Sequence, residues 1–86
     1  MKSLIKNYIE LLTIDRLKDF SLKNDIELTD NELEYLLSLI KNKYEDILTN
    51  DEKYLNEIKD NISPISYEKI KKLYLYYKDR YKDYLF

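Results

Sequence analysis

There is not one glycine in the 86 residues of this chain. Two-residue β-hairpins usually draw on Asn-Gly, Asp-Gly or Gly-X, and none of these pairs is present. Alternating runs of β-branched residues, the mark of half-buried strands, are missing too. Apolar residues recur instead at three- and four-residue spacing, so the expected fold class is all-α. The chain reads as a single compact domain over residues 1–86, with four to five short amphipathic helices and a longer C-terminal one.

The same absence removes whole classes of function. Without glycine there is no Walker phosphate loop and no dinucleotide fingerprint. An EF-hand lacks both its glycine and its ligand spacing. His and Cys are absent as well, which leaves no standard zinc site, no Ser-His-Asp or Cys-His arrangement and no disulfide framework. Carboxylates are the remaining candidates for acid–base chemistry. Asp30 and Glu34 stand four apart on one helix face, as do Lys41 and Glu45. A catalytic pair needs a pocket that separates two pKa values, and no part of the sequence specifies one. The expectation is a non-enzymatic protein with no cofactor and no metal.

Leu (15), Ile (10) and Tyr (10) supply nearly all the apolar bulk, and Ala and Val are missing. Without small apolar side chains, helices are expected toward the wide end of the roughly 8–10 Å range of interaxial distances. Lys, Ile, Tyr and Asn make up 40 of the 86 residues. A/T-rich codons encode all four, which suits a low-GC bacterium or its phage. No apolar run approaches the roughly 18–20 residues of a membrane span. Lys6, Asn7 and Glu10 interrupt any signal-peptide core, so the expected compartment is cytoplasmic.

Local signals place the helices. Leu4, Ile5, Tyr8, Ile9, Leu11 and Leu12 form a first apolar face. Thr13 reads as an N-cap with Asp15 in the first turn. It opens a short helix with Ile14, Leu17, Phe20 and Leu22 facing inward and fraying near Asn24-Asp25. Ile26 and Leu28 flank Glu27 in an extended connector. Leu28-Thr29-Asp30-Asn31-Glu32-Leu33 carries a capping box, Thr29 with Glu32, and a hydrophobic staple, Leu28 with Leu33. A third helix should start at Asp30, with Leu33, Leu36, Leu37 and Ile40 buried and an extension through Tyr44, Ile47 and Leu48. Asn42 marks a candidate break. Thr49-Asn50-Asp51-Glu52 repeats the capping signature before a fourth helix that buries Tyr54, Leu55, Ile58 and Ile62. Ser63-Pro64 opens a last helix running almost to Phe86.

These residues resemble a known family. The leading amphipathic helix, Leu17-Lys18-Asp19-Phe20, Ile26-Glu27-Leu28-Thr29, the Leu36, Leu37 and Ile40 stripe, Ile58 with Ile62-Ser63-Pro64, and Leu73 in the last helix together look like the small YqfT-like family of Firmicutes. That family is a domain of unknown function. The likeness covers most of the chain and implies the helical fold, with no catalytic residues to carry over. The Tyr-rich C-terminus departs from it, and Leu, Glu and Tyr stand where the family often has Ala and Gln. Residues 13–43 also resemble the outline of SAP and Rho-N nucleic-acid modules. The acidic start Asp30-Asn31-Glu32-Leu33-Glu34 counts against that reading.

Charge is segregated along the chain. Residues 1–24 carry a net +2, residues 25–60 a net −7 and residues 67–86 a net +3. Solvated helix faces that attract one another account for this. So would a protein partner, or an acidic surface of the kind phage inhibitors use to imitate nucleic acid. The last segment interleaves tyrosine with lysine, the composition of a surface that stacks bases and binds phosphate. Yet positions 67, 70, 74, 77, 81 and 84 keep the 3-4-3-4-3 spacing of a packing seam. The seam has three readings: monomer core, homodimer contact or nucleic-acid platform. Tyr76 lies off it and is the ring expected to be exposed. The candidate interaction surface is Lys71, Lys72, Tyr76, Lys78, Arg80 and Lys82. The expected function is protein–protein interaction. Nucleic-acid binding through the last helix and an acidic, phage-type inhibitor are the alternatives.

Overall fold

Side-chain capping marks where two of the helices start. The structure, a computed structural model, describes residues 2–85, with side-chain surroundings for residues 6–80. Five helices follow in order: α1 Lys2–Glu10, α2 Ile14–Lys23, α3 Asp30–Thr49, α4 Asp51–Lys59 and α5 Pro64–Leu85. No strand occurs among the described residues. Thr13 caps α2 by accepting the Arg16 N–H at 3.2 Å. Thr29 and Glu32 close the expected capping box on α3, with the Glu32 N–H on Thr29 Oγ1 at 3.2 Å and the Thr29 N–H on Glu32 Oε1 at 2.9 Å. These bonds satisfy first-turn donors that have no partner within the helix.

The end of α2 shows how a chain without glycine turns sharply. Asp25 takes φ 59, the left-handed conformation that glycine usually supplies. The Asp25 N–H donates to the Leu22 carbonyl at 3.1 Å and the Ile26 N–H to the Ser21 carbonyl at 2.8 Å. This pair of bonds is a Schellman motif, and Asp tolerates its left-handed residue better than most. The turn drives Ile26 into the interior, where it is buried.

Helix α3 is the hub. It packs against α1, α2 and α4, and α5 lies on α4. Leu33 is completely buried at the centre. Around it gather Leu12, Leu17, Leu36, Ile58, Ile62 and Tyr67, so every helix or its flanking turn contributes to one core. Each fully buried side chain of this size contributes roughly 1.5–3 kcal/mol. The Cα radius of gyration is 12.3 Å, against about 12 Å expected for a compact chain of this length.

Several expectations need correction. The chain leaves α1 at Glu10, and among the described residues of its apolar face Tyr8 and Leu11 are exposed, Ile9 is half-buried and Leu12 is buried in the core. In α2 the inward positions are Leu17 and Ser21, four apart, while Phe20 and Leu22 reach solvent. Helix α3 does not break at Asn42, whose amide bonds back to Ser38 within an unbroken helix. Thr49 is not a cap. It sits in the last turn of α3, with its hydroxyl on the Glu45 and Asp46 carbonyls. Asn50, at the cap position of α4, makes no capping bond because its amide turns back to Asp46. Leu4, Ile5, Tyr81, Tyr84 and Leu85 lie outside the residues whose side chains are described.

Candidate interaction surface on the last helix

Five contacts tie α5 and the turn that enters it to the rest of the molecule. At its start, the Ser63 N–H donates to Glu32 Oε2 at 2.8 Å. Ser66, buried, donates its hydroxyl to the Glu27 carbonyl at 2.7 Å and pins the extended connector. Lys69 Nζ donates to the Asp25 carbonyl at 2.7 Å and meets its carboxylate at 3.3 Å. Farther along, the Tyr74 hydroxyl reaches the Ile47 carbonyl at 3.5 Å, and Lys78 forms a half-buried ion pair with Asp51 at the start of α4. Burial pushes the Tyr74 hydroxyl up to about 12, with the Asp51 charge adding to the effect.

At 100° per residue the buried Tyr67, the half-buried Ile70 and Tyr74 and the Asp51-paired Lys78 mark the face turned toward the body, whereas Lys69, four residues after Ile65 and three before Lys72, lies on the opposite face and is held there by Asp25. Positions 65, 72, 76 and 80 then share the opposite face. Ile65 is 74% exposed and Tyr76 55% exposed, and Lys72 and Arg80 are exposed as well. Arg80 Nη1 donates to the Tyr76 hydroxyl at 3.2 Å. The Tyr76 ring also stands edge-to-face on Tyr77, with centroids 5.3 Å apart and planes at 77°. Such aromatic pairs hold each other's geometry. Tyr76 thus stands between Lys72 and Arg80 in the helical register, bonded to Arg80 and edge-on to Tyr77.

The six residues expected to form a surface do not lie together. Lys72, Tyr76 and Arg80 share the outer face. Lys71 is half-buried on the flank, beside Lys78, which is committed to Asp51. Lys82 lies outside the residues with described side chains. Ile65 escaped the sequence reading because it precedes the Tyr/Lys run, although its helical register with Lys72 and Tyr76 was available. Among its described positions, 67 to 77, the Tyr seam is core at its start only. Tyr67 is buried, Ile70 and Tyr74 are half-buried, and Tyr77 is 39% exposed.

A second polar constellation joins α3 to α4. The buried Tyr54 donates its hydroxyl to the Asp46 carboxylate, which also accepts from Asn50 at 2.9 Å. The bond to Asp46 pushes the Tyr54 hydroxyl up to about 12, with burial adding to it. Bonds from Tyr54 and Asn50 in turn hold Asp46 below the usual carboxylate range. These groups satisfy each other and act as a structural clasp. Among the described residues no cluster of three His, Cys, Asp or Glu side chains is arranged to hold a metal. No described helix is long and apolar enough to cross a membrane.

No protein-family model, curated protein or solved structure matches the chain. The YqfT-like resemblance thus stands on the sequence residues alone.

Proposed function

We propose that this protein is a non-enzymatic binding module that engages an acidic protein surface through the outer face of α5. The observation that carries the reading is the alignment of Ile65, Lys72, Tyr76 and Arg80 on one exposed face of a helix anchored along its other side. Tyrosine and arginine are the side chains most enriched among residues that dominate protein interfaces, and an exposed isoleucine beside them adds an apolar anchor. The cations would steer an acidic partner and set its register. Preorganisation of Tyr76 by Arg80 and Tyr77 reduces the ordering cost of binding.

The runner-up is single-stranded nucleic acid, because a ring flanked by cations also suits base stacking. Tyr76 already spends its ring on Tyr77 and its hydroxyl on Arg80. This favours a protein partner. Affinity capture from the native host with and without nuclease, repeated across a salt series, separates the two. Capture that survives nuclease and weakens gradually with salt supports a protein partner. Loss on nuclease treatment, with a steep linear fall of log affinity against log salt, would assign the surface to nucleic acid.

A further inference from the structure

We propose that the apolar cavity between α2 and α5 is a binding site for one small uncharged hydrophobic molecule, about the size of a fused bicyclic ring. The cavity has a volume of about 280 Å³. Its walls come from every helix except α1 and include Phe20, Ile26, Ile40, Leu55, Leu73 and Tyr77. The two lining residues that reach solvent most are Phe20 and Tyr77, each 39% exposed, one from α2 and one from α5. The space therefore opens between two aromatic side chains and is floored by the core.

Its origin lies in the composition. Small apolar side chains that would let α2 and α5 close together are absent, because the chain has no Ala, Val or Gly. At the one small lining position, α2 carries Ser21, whose hydroxyl is turned onto the Lys18 carbonyl at 2.8 Å and fills little space.

The lining chemistry fixes the class of ligand. The wall is almost wholly hydrocarbon, and its few polar atoms are committed elsewhere. The Asp51 carboxylate pairs with Lys78, the Tyr54 hydroxyl with Asp46, and Ser21 with Lys18. The Tyr74 hydroxyl, at a long 3.5 Å from the Ile47 carbonyl, is held loosely enough to turn toward a guest. A charged ligand would lose its hydration and find no uncommitted counter-charge on the wall. An apolar cavity of about 150 Å³ stays dry and takes a single benzene ring. This one, near twice that volume, suits two fused rings and lies at the small end of ligand pockets. The site lies on the inner side of α5 and meets the outer face at one residue, Tyr77, which lines the cavity and stands edge-to-face on Tyr76.

The test uses naphthalene as the probe and 2-naphthoate as its charged counterpart, with the full chain and thermal unfolding as readout. Naphthalene at about five times its Kd should raise Tm by about 4–8 °C, with one molecule bound per chain. 2-Naphthoate should bind at least tenfold more weakly. Ser21→Leu, which fills the cavity from α2, should abolish the naphthalene shift while the protein remains folded. Leu73→Trp fills it from α5 and guards against a misfolded first variant. The proposal is overturned if naphthalene produces no shift, if either folded variant binds it as the parent does, or if the naphthoate binds equally well.

Discussion

Glu32 and Ser63, 31 positions apart, are joined by a 2.8 Å bond from the Ser63 N–H to the Glu32 carboxylate. The other oxygen of the same carboxylate accepts the Thr29 N–H. One side chain therefore closes the start of α3 and fixes the entry into α5. Burial pushes the Glu32 carboxyl up, but the bonds from Thr29 and Ser63 outweigh it and hold the group below its ordinary value. A lowered folded-state pKa contributes stability that is present above the unfolded value and lost as pH falls through the folded one. Stability should therefore decline as the solution is acidified below the usual carboxylate range. Urea midpoints for the parent and Glu32→Gln should converge in that acidic window. At neutral pH the variant should be less stable by roughly 1–2 kcal/mol, since the amide loses the charge and one of the two acceptors, setting its NH2 against a backbone N–H.

The two threonine signatures should behave differently. Thr29→Ala should cost roughly 0.5–2 kcal/mol, because first-turn N–H groups lose their acceptor. Thr49→Ala should change stability by no more than about 0.5 kcal/mol, because its hydroxyl only bonds back to carbonyls of its own helix. Chemical denaturation of both variants checks the contrast, and equal losses would contradict it.

That contrast shows how far the sequence was legible. Capping at Thr29 could be read because every participant lies within four residues and the connector before it is extended. At Thr49 the same four-residue pattern misleads. A threonine three residues before a glutamate looks the same whether it opens a helix or closes the preceding one, and α3 continues through it. The Tyr seam was legible only in part, for another reason. Its period is a property of α5 alone, but its burial depends on what lies opposite. Helix α4, the partner on which α5 lies, has nine residues against 22 in α5. Coverage therefore fades from Tyr67 to Tyr77. Contacts such as Ser66 to Glu27 and Lys69 to Asp25 span 39 and 44 positions, so no local pattern announces them. On the candidate surface, helical register foretold that Tyr76 would leave the seam. It did not foretell that Lys78 would be taken by Asp51.

Burial along α5 sets the cost of truncation. Tyr67→Ala should destabilise by roughly 3–5 kcal/mol and leave little folded protein at 37 °C. Tyr77, 39% exposed at the cavity mouth, should cost roughly 1–2 kcal/mol when changed to Ala. Circular dichroism melts of the two variants measure the difference, and a Tyr77→Ala loss as large as that of Tyr67→Ala would place the seam in the core throughout.

Alkaline behaviour follows from two tyrosines. The hydroxyls of Tyr54 and Tyr74 are each pushed up to about 12, one chiefly by its bond to Asp46 and the other by burial. An unfolded tyrosine ionises near pH 10, so the folded state binds more protons between these values and stability falls as pH rises. We expect urea midpoints to drop from about pH 10 toward 12, with a shallower slope in Tyr54→Phe and Tyr74→Phe. A flat profile in the parent protein would contradict both assignments.

The division of α5 into an anchored face and a binding face is tested most directly by one triple variant, Lys72→Glu with Tyr76→Ala and Arg80→Glu. Its melting temperature and its partner capture after nuclease treatment are measured together against the parent protein. Exposed substitutions of this kind change stability by about 0.5 kcal/mol each or less, so we expect a melt lowered by no more than about 6–12 °C and capture reduced at least tenfold. A triple variant that still captures its partner at the parental level, or that unfolds, would contradict the assignment of this face.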